Sequence, residues 1–226
     1  MAKGPDSPGV VDLARSLGAS CVRGNHDDRM LLAWQSMRAH HLLPSSPSSS
    51  DSSSSDPSHA IAAAPSSRGD DKHRALAKQF NEDQITWLRS CPVILDVGTL
   101  PALGRTLVAH AGLVPGIPLE QQDPFQAMNM RSIDLYTRVP TEDRSGLPWE
   151  RVWNAWQKRM KEGEGEGERT TVVYGHDSKR GLVRRRWTRG LDSGCVGGGR
   201  LTALVVDGRG TERYVSVRCV GKGKKE

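Results

Sequence analysis

The chain has 226 residues, a hydrophobic share of 36%, aromatics at 5% and a formal net charge of +6, with a sequence pI near 9.3. That length suits one domain with a sizeable core, and the low apolar share requires that part of the chain stay outside it. No apolar run approaches the roughly 20 residues needed to cross a bilayer, and residues 1–8 lack the apolar core of a signal peptide, so the chain reads as soluble and intracellular. The four cysteines, Cys21, Cys91, Cys195 and Cys219, are irregularly spaced with no Cys-x-x-Cys pair. That spacing argues against a zinc finger or a disulfide framework and predicts free thiols in a reducing compartment.

Residues 1–8 read as the inside of a loop. Asp6 or Ser7 can cap a helix with Pro8 in its first turn. Val10, Val11, Leu13, Ala14 and Leu17 predict its apolar stripe, closed by Gly18. A strand is predicted over 19–23, running into Gly24-Asn25-His26-Asp27. A helix follows over 28–43, with Met30, Leu31, Trp34, Met37 and His41 on one face. Residues 44–71, mostly serine with Pro, Asp and Ala, predict a disordered insertion in which His59 has no role. Helix resumes over 72–80. Asn81 with Gln84 three residues on predicts a capping box before Ile85, Trp87 and Leu88, and Pro92 ends that helix.

Strands over 93–97 and 106–109 predict a hairpin turning at 101–104. The second runs into His110-Ala111-Gly112-Leu113. Short helices are expected over 125–130 and 149–160, the latter with Trp149, Val152, Trp153 and Trp156 on a face. Alternating Glu and Gly make 161–168 a flexible charged loop. The β-branched run 170–174 predicts a strand ending in Gly175-His176-Asp177. Strands over 182–188, 201–206 and 213–219 follow, with tight turns at Gly194 and at Gly197 to Gly199, and a basic tail over 221–226. Arg184-Arg185-Arg186 and Lys222, Lys224 and Lys225 hold much of the positive charge. They suit a polyanionic partner, or equally a solvated strand edge and a soluble tail.

Three predicted strands thus end in turns that carry histidine and glycine. One such turn is most often structural, but three, with Asn25 beside one of them, predict a site where strand ends converge. His40, His41 and His73 lack that setting and read as helix-surface residues. Asn25, His110 and His176 offer mixed N and O ligands for a divalent ion. In a two-metal site the second ion sits about 3.5–4 Å away, and the pair lowers the pKa of a bridging water toward about 7. His26, steadied by Asp27, can protonate a leaving oxygen, a contribution of about 10²–10⁴-fold in rate.

Gly24-Asn25-His26-Asp27, His110-Ala111-Gly112-Leu113 and Gly175-His176-Asp177, in this order, resemble the calcineurin-like metallophosphoesterases. Gly190-Leu191-Asp192-Ser193-Gly194-Cys195-Val196 and the run from Gly198 to Leu204 are similar to the branch of diadenosine tetraphosphate hydrolases and fungal endopolyphosphatase-like proteins. Tyr174 to Leu182 is similar to its fungal members. The resemblance implies an α/β fold, a four-layer α/β/β/α sandwich of two β-sheets packed face to face, in one domain over 1–226. It implies Asn25, His110 and His176 as metal ligands and His26 with Asp27 as the acid. Lys3 matches the end of a Gly-Asp-x-Val-x-Arg/Lys-Gly motif and, with Arg131, is expected to touch phosphate. The family's Asp-x-His-Gly and Gly-Asp motifs do not appear, and Met1 falls inside the second. The chain is therefore expected to lack the first strands and to keep one of the family's two zinc, manganese or cobalt ions.

The expected activity is hydrolysis of phosphoanhydride or phosphoester bonds in a phosphate-containing polyanionic substrate, inorganic polyphosphate first, then diadenosine polyphosphates or phosphoproteins. A truncated, inactive binding protein of the same fold is the rival. Nucleic acid is not an expected partner: the basic residues are not interleaved with aromatics. The resemblance implies vacuole or cytoplasm.

Overall fold

The computed structural model describes residues 3–42, 68–160 and 169–220 of the chain. Helix α1 (Ser7–Ser16) opens with Pro8 in its first turn and with the Asp6 carboxylate accepting the Gly9 N–H at 2.9 Å, which satisfies one of the N–H groups left over at a helix start. Only Val11 of its predicted stripe is buried; Val10, Leu13 and Leu17 are exposed. Residues 19–24 are not the predicted strand. They run extended but join no sheet, and one backbone bond, Arg23 N–H to the Pro92 carbonyl at 2.8 Å, ties them down.

Helix α2 (Asn25–Leu42) begins three residues before the predicted start, which puts Asn25, His26 and Asp27 on its first turn. Asp27 and Asp28 there face the positive end of the helix dipole. Helix α3 (Arg68–Ala77) starts inside the stretch predicted as a disordered insertion, so 68–71 are helical. The remainder of that insertion with His59, the 161–168 loop and the 221–226 tail lie outside the described residues. Helix α4 (Glu82–Ser90) carries the predicted capping box: Asn81 accepts from the Gln84 N–H at 2.9 Å, and Gln84 accepts from the Asn81 N–H at 3.0 Å. Val11, Met30, Leu31, Ala77, Phe80, Ile85 and Leu88 bury against one another and join these four helices.

The predicted hairpin forms as β1 (Ile94–Leu100) and β2 (Gly104–Ala109). Helix α5 (Pro124–Asn129) follows, then three short strands, β3 (Ser132–Ile133), β4 (Pro140–Thr141) and β5 (Leu147–Pro148), in a sheet of order β4-β3-β5. Helix α6 (Trp149–Arg159) leads to β6 (Thr170–Tyr174), β7 (Val183–Arg185) and β8 (Thr188–Gly190). Five strands form one sheet in the order β1-β2-β6-β8-β7. The central β2, β6 and β8 run parallel, and β1 and β7 are antiparallel edges. The single strand predicted over 182–188 is instead split, because Trp187 turns into the core at 8% exposure and its N–H donates to Asn154 Oδ1 at 2.9 Å. Leu107, Ala109, Met130, Trp149, Val172 and Tyr174 are buried in this core.

Strands β9 (Arg200–Val206) and β10 (Glu212–Arg218) form a separate antiparallel ribbon. The free-thiol reading is overturned. Cys21 pairs with Cys91 and Cys195 with Cys219, each with Cα atoms 5.2 Å apart. Sequence spacing hid both pairs, which are separated by 70 and 24 residues; the fold brings them together where the 19–24 segment meets Pro92 and where β10 ends beside the 3₁₀ turn Cys195–Gly197. Among the described residues no helix is long and apolar enough to cross a membrane.

Candidate active site

Parallel pairing sets the site. Val108 stands opposite Val173 in register, so β2 and β6 deliver His110 and His176 to the same edge of the sheet. The Gly175 N–H donates to the His110 carbonyl at 3.0 Å and locks the two turns together, and the two imidazole centroids are 5.1 Å apart. The first turn of α2 completes the group: Asn25 Oδ1 is 3.2 Å from His110 Nε2. Gly24 permits that approach, since a Cβ there would come within 3.0 Å of the His110 ring. Its N–H donates to the Asp27 carboxylate at 3.2 Å.

These residues line a cleft of about 510 Å³ together with Lys3, Lys179 and Asp192. His176 adopts a left-handed backbone with φ of 69°. Its Nε2 lies 3.0 Å from the Asn129 carbonyl. Strain of this kind in a non-glycine residue typically costs about 1–3 kcal/mol and concentrates at functional sites. The next residue supports it: Asp177 accepts from Arg144, and from Arg180 Nε at 2.8 Å. Arg180 also lies 3.4 Å from Glu150, a carboxylate with only 3% side-chain exposure. Burial by itself would raise the Asp177 pKa, but the hydrogen bonds from Arg144 and Arg180 outweigh it and hold the carboxyl below its usual range.

The three histidines of the cleft are all pushed toward the neutral form. Burial, then the neighbouring His176, takes His110 down to about 3. Burial, then Arg131, takes His176 down to about 4. Burial, then Lys3, takes His26 down to about 4. At neutral pH each therefore keeps an imidazole lone pair, the form that ligates metals.

Lys3 lines the cleft, and Arg131 is not among its lining residues. The Arg131 guanidinium donates to the Glu142 carbonyl at 2.5 Å, although its charge reaches His176. His26 Nδ1 faces His73 Nε2 at 3.5 Å. His73 therefore belongs beside the site and is not a plain helix-surface residue. Nothing local in the sequence announces this, because the pair is 47 residues apart and depends on α3 packing against α2. Lys179 and Asp192 lie inside stretches that carry the family resemblance, which gave them no role. Two neutral imidazoles facing one amide oxygen fit a zinc-like divalent ion in chemistry. Among the described residues no group of three or more His, Cys, Asp or Glu could hold one, so the donor set rests on Asn25 as its third member.

No protein-family model matches the chain. It is 26% identical over 221 residues to a zinc-dependent endopolyphosphatase of Saccharomyces cerevisiae, an alignment that covers 90% of this chain and 63% of that protein. The chain thus spans less than two thirds of this relative's length. A crystal structure named a "putative diadenosine tetraphosphatase" matches with a TM-score of 0.65 and 31% identity, over 96% of this chain and 76% of that one. With the mixed α/β fold and the histidines gathered at one sheet edge, these likenesses show that the chain belongs to a metallophosphoesterase-type family and resembles phosphate-ester and phosphoanhydride hydrolases.

Proposed function

We propose that this chain hydrolyses phosphoanhydride or phosphoester bonds with the help of a divalent metal, and that its substrate is inorganic polyphosphate. The observation that carries the reading is the convergence of His110, His176 and Asn25 in one cleft beside Lys3 and Lys179. His110, His176 and Asn25 are assigned as holders of one ion, of zinc, manganese or cobalt. When bound, such an ion polarises a phosphoryl oxygen and acidifies a bound water.

The other residues take roles from their placement. Lys3 and Lys179 are assigned to phosphate oxygens as point charges. Arg131 is kept as a charge acting on the same cleft through His176. His26 is assigned as the proton donor to the leaving oxygen. Empty of substrate, its pKa is held low by burial, Lys3, Arg29 and His73, with Asp27 opposing them. A phosphate anion against Lys3 would offset part of that charge and raise His26 toward the range where it can donate. The domain is read as 1–226, with the ribbon β9–β10 as part of the second sheet of a four-layer sandwich. The alternation of half-buried and exposed residues along both ribbon strands supports that reading. The paired cysteines favour an oxidising compartment such as the vacuole over the cytoplasm.

The test is a chain-length gel of polyphosphate incubated with the chain and zinc, manganese or cobalt, alongside the metal content of the folded protein. Shortening of the polymer that disappears in His110→Ala, together with loss of bound metal, is the expected result. Metal binding without any shortening would sink the catalytic assignment. The 31% likeness to a protein named for diadenosine tetraphosphate favours a second substrate, diadenosine polyphosphate. Faster turnover of that compound than of polyphosphate would replace the first choice.

A further inference from the structure

Beside the sheet's edge lies a second, strongly basic cleft of about 440 Å³, lined by Arg184, Arg185, Arg186, Arg189, Glu212 and Tyr214. Four guanidinium groups face one carboxylate there. Two are already engaged. Arg189 grips Glu212 through Nε at 2.6 Å and again through its Nη2, and Arg185 Nε lies 3.9 Å from Glu150. Arg184 and Arg186 are exposed, and neither forms an ion pair with a carboxylate among the described residues. Basic residues on an edge strand such as β7 also discourage edge-to-edge pairing, yet these two are not splayed into solvent. The Arg184 guanidinium lies 3.7 Å from the Tyr214 ring centroid, and Arg186 lies 4.8 Å from that of Trp187. The Tyr214 hydroxyl donates to Glu212 at 3.3 Å, so ring, carboxylate and Arg189 form a fixed platform under Arg184. A guanidinium held flat on an aromatic ring keeps its N–H edges free for phosphate oxygens and loses little entropy on binding.

We infer that this cleft is a second binding site for a phosphate chain, holding one stretch of a polyanion while another occupies the histidine cleft. Arg189 lines one cleft and Asp192 lines the other. Three residues of chain separate them by no more than about 11 Å, within reach of one long substrate. The inference rests on the polyphosphate reading for the first cleft, and its test separates the two.

The probe is long-chain polyphosphate, with tripolyphosphate as the short control, against the double variant Arg184→Gln/Arg186→Gln. Direct binding is measured with chelator present, so that no cleavage is needed. The variant is expected to bind the long chain at least about fivefold more weakly. Its dependence of log K on log salt should be shallower by about 1. In turnover, KM for the long chain rises while kcat and tripolyphosphate hydrolysis hold. Tyr214→Leu, which removes the platform and keeps both charges, weakens long-chain binding in the same direction. Equal long-chain binding by wild type and double variant overturns the site and leaves the arginines as edge protection. An oligothymidylate that displaces the long chain at equal phosphate concentration overturns the choice of ligand. Failure of the wild type to cleave polyphosphate, with binding still lost in the variant, would count against the histidine cleft's assignment and not against this site.

Discussion

At Gly24 the missing side chain is what lets α2 bring Asn25 to His110. A Cβ there would stand 3.0 Å from the His110 ring, so ring or helix must give way. Overpacking of this order typically costs about 1–3 kcal/mol. Gly24→Ala should therefore lower the melting temperature and, more tellingly, weaken zinc binding measured by calorimetry; unchanged affinity would mean His110 and Asn25 do not act on one ion. His176 presents the opposite balance. Its left-handed backbone typically costs about 1–3 kcal/mol, while its bond to the Asn129 carbonyl returns about 0.5–1.5 kcal/mol. Asparagine tolerates that conformation better than most residues. His176→Asn should thus melt within a few degrees of wild type while losing metal, a separation that a merely structural histidine would not show. His110 sets a pH dependence. Its folded pKa, about 3, lies below the ordinary 6.5. Above pH 6.5 both folded and unfolded states are neutral there. Between 6.5 and about 3 the unfolded chain takes up the proton that the folded one refuses, so stability falls with falling pH. The chelated chain should melt lower at pH 5 than at pH 7.5, and His110→Gln should flatten that difference.

At the scale of elements, the turn after β6 depends on charges borrowed from elsewhere. Asp177 is bound by Arg144 and Arg180, and Arg180 leans on buried Glu150 of α6. Hydrogen bonds to charged groups are each worth about 1.5–3 kcal/mol. Asp177→Asn should destabilise by about that much in urea titration and loosen His176 with it. Arg144→Ala should cost less, because Arg144 is 38% exposed and Arg180 remains; equal losses would argue that Asp177 is not shared between them. Some of this organisation could be read from the chain. The capping box at Asn81 and Gln84 was legible because both partners sit within one turn. The strands that end in His110 and His176 were legible because their apolar runs stop abruptly at glycine or histidine. The strand expected over 19–23 failed because apolar residues report burial, and a ladder also requires a neighbour that local pattern does not name. The split at Trp187 came from a distant Asn154, and the place of His73 beside His26 came from packing between α2 and α3. Neither has a signal within its own stretch.

At the scale of the whole molecule, the cysteines decide how the two walls of the histidine cleft are held. Cys21 lies three residues before Gly24, and its partner Cys91 closes α4. Cys195 lies between Gly194 and Val196, both lining the cleft, and its partner Cys219 follows β10. Spacing along the chain argued for thiols because disulfides of small secreted scaffolds are dense and local, whereas these two cross-links are long-range and secure loops that the sheet leaves unsupported. Loop-closure entropy assigns about 4 kcal/mol to a 70-residue loop and about 3 kcal/mol to a 24-residue one. Set against total stabilities of about 5–15 kcal/mol, losing both is a large fraction even if each delivers half of that figure. At about 2–4 °C per kcal/mol for a domain of this size, full reduction should lower the melting temperature by about 10 °C or more. Metal binding should be lost before unfolding, since the loops that carry Asn25 and Asp192 are released first. Melts and metal titrations with and without a phosphine reductant read both effects. Four titratable thiols in the untreated protein, with no change on reduction, would restore the reducing-compartment reading and remove the argument for an oxidising one.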